Sequence, residues 1–269
     1  MDGLTASGLA GAKDAQILLT QPNRLTRSTR EALLSLRPKS VIIVGGESAV
    51  GSEVVEALEG LDNHEDGLKL DIQRVSGTNR FATAAEVAME IGSAKDNTAI
   101  IVNGTSEVDS LVAGPLAHQG YPILMVNNAR GRIPQETLDA IDMLGIENLL
   151  IVGGLGVVSQ DLENQLNEID GVSVKARYGG QNRVETSILL ASHEAFDGFG
   201  SFSLVNGLSY VDAVAASTLR DPVIYIIPRQ GVAESLEAFI KEKEEVRAIG
   251  GHGVISVELF ESVKKLLMQ

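Results

Sequence analysis

An apolar run closed by two glycines occurs three times in this chain, as Val41–Gly46 (VIIVGG), Leu149–Gly154 (LLIVGG) and, more loosely, Val246–Gly251 (VRAIGG). Gly45 and Gly153 stand 108 residues apart, and Gly153 and Gly250 stand 97 apart. A stacking solenoid turn is roughly 20–50 residues long, so a period near a hundred makes each copy a small domain. In every copy the glycines lead into an irregular turn (Glu47–Val50, Leu155–Val158, His252–Ile255), then a Ser and an amphipathic segment at 52–61, 159–169 or 256–268. That order is a buried strand, a tight turn and a helix.

The self-similarity extends further. Ile17–Thr20, Pro122–Val126 and Pro222–Ile227 are continuous apolar runs, which predicts strands buried on both faces of a parallel sheet. Ahead of them lie segments of small residues led by an Asp: Asp2–Ala10, Asp109–Ala117 and Asp212–Leu219. These predict short helices with Asp caps, lying close to the sheet. Two copies also share an opening, Arg74–Thr83 (RVSGTNRFAT) and Arg177–Thr186 (RYGGQNRVET), followed by a helix and a strand ending in Asn103-Gly104 or Asn206-Gly207. The units expected are therefore 1–72, which lacks that opening, 73–174 and 175–269. Alternating strands and helices make each an α/β layer, and no Pro-, Gly- or Ser-rich linker separates them.

Composition limits the function classes. The 269 residues are 44% hydrophobic, enough for a sizeable core, and include no cysteine, which removes disulfides, thiolate metal sites and thiol nucleophiles. A net charge of −14 argues against a nucleic-acid partner. No run of about twenty apolar residues is present to span a membrane. The segment Met1–Ala6 has neither the basic start nor the apolar stretch of a secretory signal, as expected of a protein that stays inside or of a mature or excised piece.

Several motifs carry alternatives. The Gly pairs match neither G-x-G-x-x-G nor a Walker loop, and a structural turn needing positive φ competes with a phosphate cradle. Arg80 and Arg183, each following an Asn, can fork onto a phosphate or sugar carboxylate, or form an internal ion pair with Asp109 and Asp212. Asn103 with Asp109, and Asn206 with Asp212, can bond a sugar or serve as turn and helix-cap residues. The four histidines (His64, His118, His193, His252) fall at non-equivalent places, so most are expected at surfaces or edges rather than in a recurrent metal or acid–base site. No Ser lies in G-x-S-x-G and no acidic pair recurs, so no catalytic residues are assigned.

The ordered set R-x-S-G-x-N-R-F-x-T from Arg74, V-N-G-x-x-x-x-D-x-L-x-A-x-P-L-A from Val102, P-I-L from Pro122 and I-V-G-G from Ile151 resembles the type 2 cell-wall-binding repeat. The resemblance implies Toprim-like or Rossmann-like α/β modules with mainly parallel sheets, three of them packed as a pseudo-threefold triangle. It also implies a non-catalytic role at the cell surface, holding a protein to an anionic, teichoic-acid-like secondary wall polymer. Arg80, Arg183, Asn103, Asp109, Asn206 and Asp212 are the candidate ligand-binding residues, and no cofactor is called for. An acidic chain would meet such a polymer through local basic patches or bridging cations such as Ca²⁺. Two other classes remain: a surface-lattice protein without polymer recognition, and an intracellular protein binding a small phosphorylated ligand. The missing opening of the first unit points to a missing N-terminal portion or an attached effector domain.

Overall fold

The computed structural model describes residues 2–61, 69–106, 111–227 and 234–268. Repeat 1 comprises α1 (Asp2–Lys13), α2 (Arg27–Leu36), β1 (Ser40–Val44), α3 (Ser52–Glu59) and β2 (Asp71–Val75). Repeat 2 runs through α4 (Arg80–Ile91), β3 (Thr98–Asn103), a 3₁₀ turn at Leu111–Ala113, α5 (Gly114–His118), β4 (Ile123–Val126), α6 (Gln135–Met143), β5 (Asn148–Val152), α7 (Gln160–Asn167) and β6 (Ser173–Tyr178). Repeat 3 holds α8 (Arg183–Ala191), β7 (Ser201–Asn206), α9 (Tyr210–Ala216), β8 (Val223–Ile226), α10 (Glu234–Ile240), β9 (Glu245–Ile249) and α11 (Val257–Leu266).

Three parallel sheets result, with strand orders β1-β2, β4-β3-β5-β6 and β8-β7-β9. β2 and β6 pair with β1 and β5, so each closes the sheet of the repeat before it, and the divisions at 72/73 and 174/175 pass through these two strands. β3 and β4 are buried along their whole length and β7 through its four middle residues, as a sheet with both faces covered requires. One predicted strand differs: Ile17–Thr20 pairs with no other strand. Its counterpart β4 is held by β3, and among the described residues none of repeat 1 stands in the place of β3.

The small-residue helices form the hub. α1, α5 and α9 touch one another pairwise. One core cluster draws Leu4 from α1, Leu111 and Leu116 from repeat 2, and Ala213, Val214 and Ala216 from α9, together with sheet residues such as Val102, Val205 and Tyr225. The approach is close enough to demand glycine. A Cβ on Gly11 would overlap the His118 carbonyl oxygen, and one on Gly114 would overlap the Ser217 side chain. The buried hydroxyls of Ser7 and Ser217 donate back to Leu4 O and Val214 O, each at 2.6 Å, so both are satisfied within the hub.

Two expectations are corrected at this level. Asp212 does not cap α9: Ser209 does, its Oγ accepting from the Asp212 N–H at 3.4 Å, which places Asp212 in the first turn. Nor are all the histidines peripheral. His193 is 7% exposed and lies edge-on to Tyr121 and Tyr178, with ring centroids 5.5 and 5.8 Å away, while His118 sits half-buried with Nδ1 3.3 Å from Ser7 O. His252 is exposed, as expected, and His64 lies outside the described residues.

Burial lowers the pKa of both His118 and His193 below the ordinary value of 6.5. Above about pH 6.5 neither affects stability. As the pH falls through that value, the unfolded chain takes up protons that the folded chain resists, and stability drops. Urea midpoints should therefore decline between pH 7 and 5, with a shallower slope in a His193→Phe variant. Gly114→Ala should cost about 1–3 kcal/mol by overpacking, whereas Gly156→Ala, with nothing within 4 Å of the added carbon, should stay within ~0.5 kcal/mol in the same assay.

Candidate anion-binding cleft

The repeated opening builds the loop ahead of each helix from its own side chains. Asn79 Oδ1 accepts the N–H groups of Phe81 and Ala82 at 2.8 and 3.0 Å, and Asn182 Oδ1 accepts those of Val184 and Glu185 at 2.9 and 3.1 Å. Thr83 and Thr186 Oγ1 accept from Gly77 and Gly180 N–H at 3.1 and 3.0 Å. These are helix N-caps locked from behind. The first arginine of each opening is a clamp: Arg74 donates to Gly45 O and Val50 O at 2.7 and 2.8 Å. Arg177 donates to Gly153 O and Val158 O, both at 2.9 Å, and pairs with Glu163 at 2.7 Å. What they clamp is the Gly-pair turn, whose first glycines have φ of 115, 128 and 121° at Gly45, Gly153 and Gly250. A side chain is strained there, so the recurrence of glycine at that position has a structural cause.

The second arginine spans the sheet's carboxyl end. Arg80 Nη1 donates to Gly104 O at 2.8 Å and Arg183 Nη1 to Gly207 O at 2.7 Å, so the observed anchor is a backbone carbonyl. The carboxylate of Asp212 instead lies beside Gly250, and Asp109 falls outside the described residues. Asn103 Oδ1 accepts from Thr105 N–H and Oγ1 at 3.1 and 2.8 Å, and Asn206 Oδ1 accepts from Leu208 N–H at 2.8 Å while its amide donates to Val254 O at 3.2 Å. Both asparagines thus form turns at strand ends.

Beside Arg80 opens a cleft of about 560 Å³. It is lined by Asn79, Arg80 and Phe81 from the start of α4, Thr105 after β3, the loop residues Asn127, Ala129, Arg130 and Arg132 after β4, and Pro134 and Glu136 at the start of α6. The loop is a small hairpin: Asn127 and Arg132 exchange backbone bonds at 3.1 and 3.2 Å, Asn127 Oδ1 takes the Arg130 N–H at 3.1 Å, and Gly131 turns the chain at φ 58°. Among the described residues, neither the Arg130 nor the Arg132 guanidinium has a hydrogen bond or an ion pair. Glu136 accepts from Asn79 Nδ2 at 2.8 Å, and that bond, more than the nearby charge of Arg132, holds its pKa below the ordinary carboxylate value. The cleft thus presents cationic donors on one side and an ionised acceptor on the other.

The sequence had singled out Arg80 here but not Arg130, Arg132, Asn127 or Glu136. The available signal was the run Asn127-Asn128-Ala129-Arg130-Gly131-Arg132, turn-forming residues with two cations directly after a buried strand. Among the described residues no three His, Asp or Glu side chains gather as metal ligands, and no helix is long and apolar enough to cross a membrane.

Tandem parallel α/β repeats around a common hub, with an arginine-lined cleft at a sheet's carboxyl end, define a repeat protein built for binding. Residues 1–55, 74–163 and 177–260 match cell wall binding domain 2 (CWB2), and the chain belongs to that family. Its structure is similar to that of Cwp8 from Clostridium difficile, with a TM-score of 0.82 and 28% identity, covering 99% of this chain and 45% of that one. Cwp6 from the same organism shares the fold at 0.82 and 24% identity, over 99% and 42%. In sequence the chain is 32% identical over 219 residues to the N-acetylmuramoyl-L-alanine amidase LytC of Bacillus subtilis, 81% of this chain and 40% of the relative. It is 25% identical over 269 residues to the amidase enhancer of that organism, 98% of this chain and 35% of the relative. The chain therefore spans well under half the length of these relatives. It is a cell-wall-binding module of the CWB2 family.

Asn79→Ala removes a cap that serves two N–H groups and should cost about 1 kcal/mol in thermal or urea unfolding. It should also raise the Glu136 pKa toward 4.5, seen as an upward shift of that carboxyl's NMR titration.

Proposed function

We propose that the chain anchors a surface protein non-covalently to an anionic secondary polymer of the cell wall, and that the Arg80, Arg130 and Arg132 cleft takes one anionic group of the polymer. The observation that carries this is the local inversion of charge. The chain has a net charge of −14, yet three arginines share one cleft with a single carboxylate, Glu136. Cations so placed favour a phosphodiester or a sugar carboxylate, which a guanidinium meets with a fork of donors. Ionised Glu136, with Thr105 and Asn127, supplies acceptors and donors for hydroxyls of the adjoining sugar.

Arg24 repeats the position of Arg132: each precedes by five residues a threonine, Thr29 or Thr137, whose Oγ1 donates to the carbonyl of Leu19 or Met125. Several weak anion sites on one rigid body raise apparent affinity through multivalency. The amidase and its enhancer match this chain over 40% and 35% of their lengths. This supports a binding module that is joined to further sequence in its relatives and performs no chemistry itself.

Arg130→Ala combined with Arg132→Ala should weaken co-sedimentation with purified Gram-positive walls by at least about tenfold. It should leave the melting temperature within ~2 °C, since neither guanidinium holds the fold together. Wild-type binding should fall with added salt and vanish after acid extraction of the secondary polymer. A double variant that binds extracted and intact walls as the wild type does would remove the cleft from the account.

A further inference from the structure

The arginine cleft also holds a charge of the wrong sign for an anion. Glu136 lines it together with Arg80, Arg130 and Arg132. A carboxylate among guanidinium groups is ordinarily matched by direct contact, yet among the described residues Glu136 makes no ion pair with any of the three. Its partner is neutral: Asn79 Nδ2 donates to Glu136 Oε1 at 2.8 Å. The charge is not readily lost to a proton either. The Asn79 amide first, then a bond from the residue's own backbone N–H in the first turn of α6, then the more distant charge of Arg132 hold the carboxyl below its ordinary pKa, against the opposing effect of burial.

An unpaired negative charge in such a place has a consequence for the ligand. A polymer segment carrying only phosphodiesters gains at the arginines and is repelled at Glu136. A sugar hydroxyl can use the carboxylate's lone pairs, but it leaves the charge uncompensated. An ammonium does both. An ionised carboxylate has about four acceptor sites, so the two donors already present leave room for more. Phe81 also lines the cleft, and an aromatic face attracts an ammonium and not a phosphate.

We propose that Glu136 makes the cleft selective for a zwitterionic polymer unit, with a phosphodiester on the arginines and, a few bonds away, an ammonium group on Glu136. This rests on the reading of the cleft as an anion site and adds the sign and place of a second charge. An aminoacyl ester and an unacetylated amino sugar present the same ammonium. A cleft of about 560 Å³, in the range that holds a drug-sized molecule, has room for either beside one phosphate.

The test titrates the full chain, in mildly acidic buffer where aminoacyl esters persist, with glycerol-phosphate oligomers of equal length. One is unsubstituted, one carries alanyl esters, one carries glucosamine and one carries N-acetylglucosamine, which has the sugar without the charge. The alanyl form, the glucosamine form or both should bind at least about threefold more tightly than the two uncharged forms, and which of them does so identifies the source of the ammonium. An oligomer bearing ammonium groups is also repelled less by the acidic chain as a whole, so the deciding variant is Glu136→Gln, whose amide oxygen still accepts from Asn79. It should bring all four oligomers within about 1.5-fold of one another and tighten the unsubstituted one about twofold by removing repulsion. Its melting temperature should stay within ~2 °C of the wild type. Equal binding of all four by the wild type, or a preference that survives in Glu136→Gln, would overturn the proposal and leave the anion site standing, because the unsubstituted oligomer would still shift the Arg130 and Arg132 resonances. No shift at those arginines with any oligomer would overturn both.

Discussion

Backbone contact among the three inner helices sets the geometry of the whole molecule. α1, α5 and α9 approach so closely that Gly11 and Gly114 leave no room for a side-chain carbon. Because α5 and α9 are joined by short links to the strands that follow them, fixing these helices fixes the sheets of repeats 2 and 3. The shared apolar cluster then spans all three repeats, so the hub is a common core and not a contact between finished domains. Protein interiors are packed densely enough that such a junction tolerates little displacement, and the carboxyl ends of the sheets inherit that rigidity.

On that scaffold, charge is divided between construction and recognition. Arg74 and Arg177 lie partly buried and spend their donors on turn carbonyls, and Arg80 and Arg183 reach across to the carbonyl after the central strand. The recurring arginines thus hold loops in place. Among the described residues the guanidinium groups of Arg130 and Arg132 hold no other group, although the hairpin that carries them is bonded to Ser159 and Gln165.

Internal repetition made most of the fold legible before any coordinates. The apolar runs at Ile123–Val126 and Leu149–Val152 became parallel strands because continuous burial leaves little else open to them. The limits came from position and context. Ile17–Thr20 has strand composition, but a strand needs a partner, and none of the described residues pairs with it. Asp212 looked like a cap because Asp recurs at that place, yet Ser209 lies where the N–H groups converge. His193 was assigned to an edge because nothing in the other repeats matches it, while in fact it fills a gap between Tyr121 and Tyr178. The site was half legible for a related reason: comparison of copies finds what recurs, and what recurs here is structural. Arg130 and Arg132 belong to a loop that differs in length among the copies, so repetition pointed at Arg80 and passed over its neighbours.

The division between clamping and recognising arginines is open to direct measurement in a 28.5 kDa protein. Side-chain Nε–Hε resonances of Arg74, Arg80, Arg130, Arg132 and Arg177 can be followed by NMR while a soluble glycerol-phosphate oligomer is titrated in. The account predicts saturable shifts at Arg130 and Arg132, a smaller one at Arg80, and none at Arg74 or Arg177. Shifts centred on Arg74 and Arg177 with Arg130 and Arg132 unmoved would contradict it.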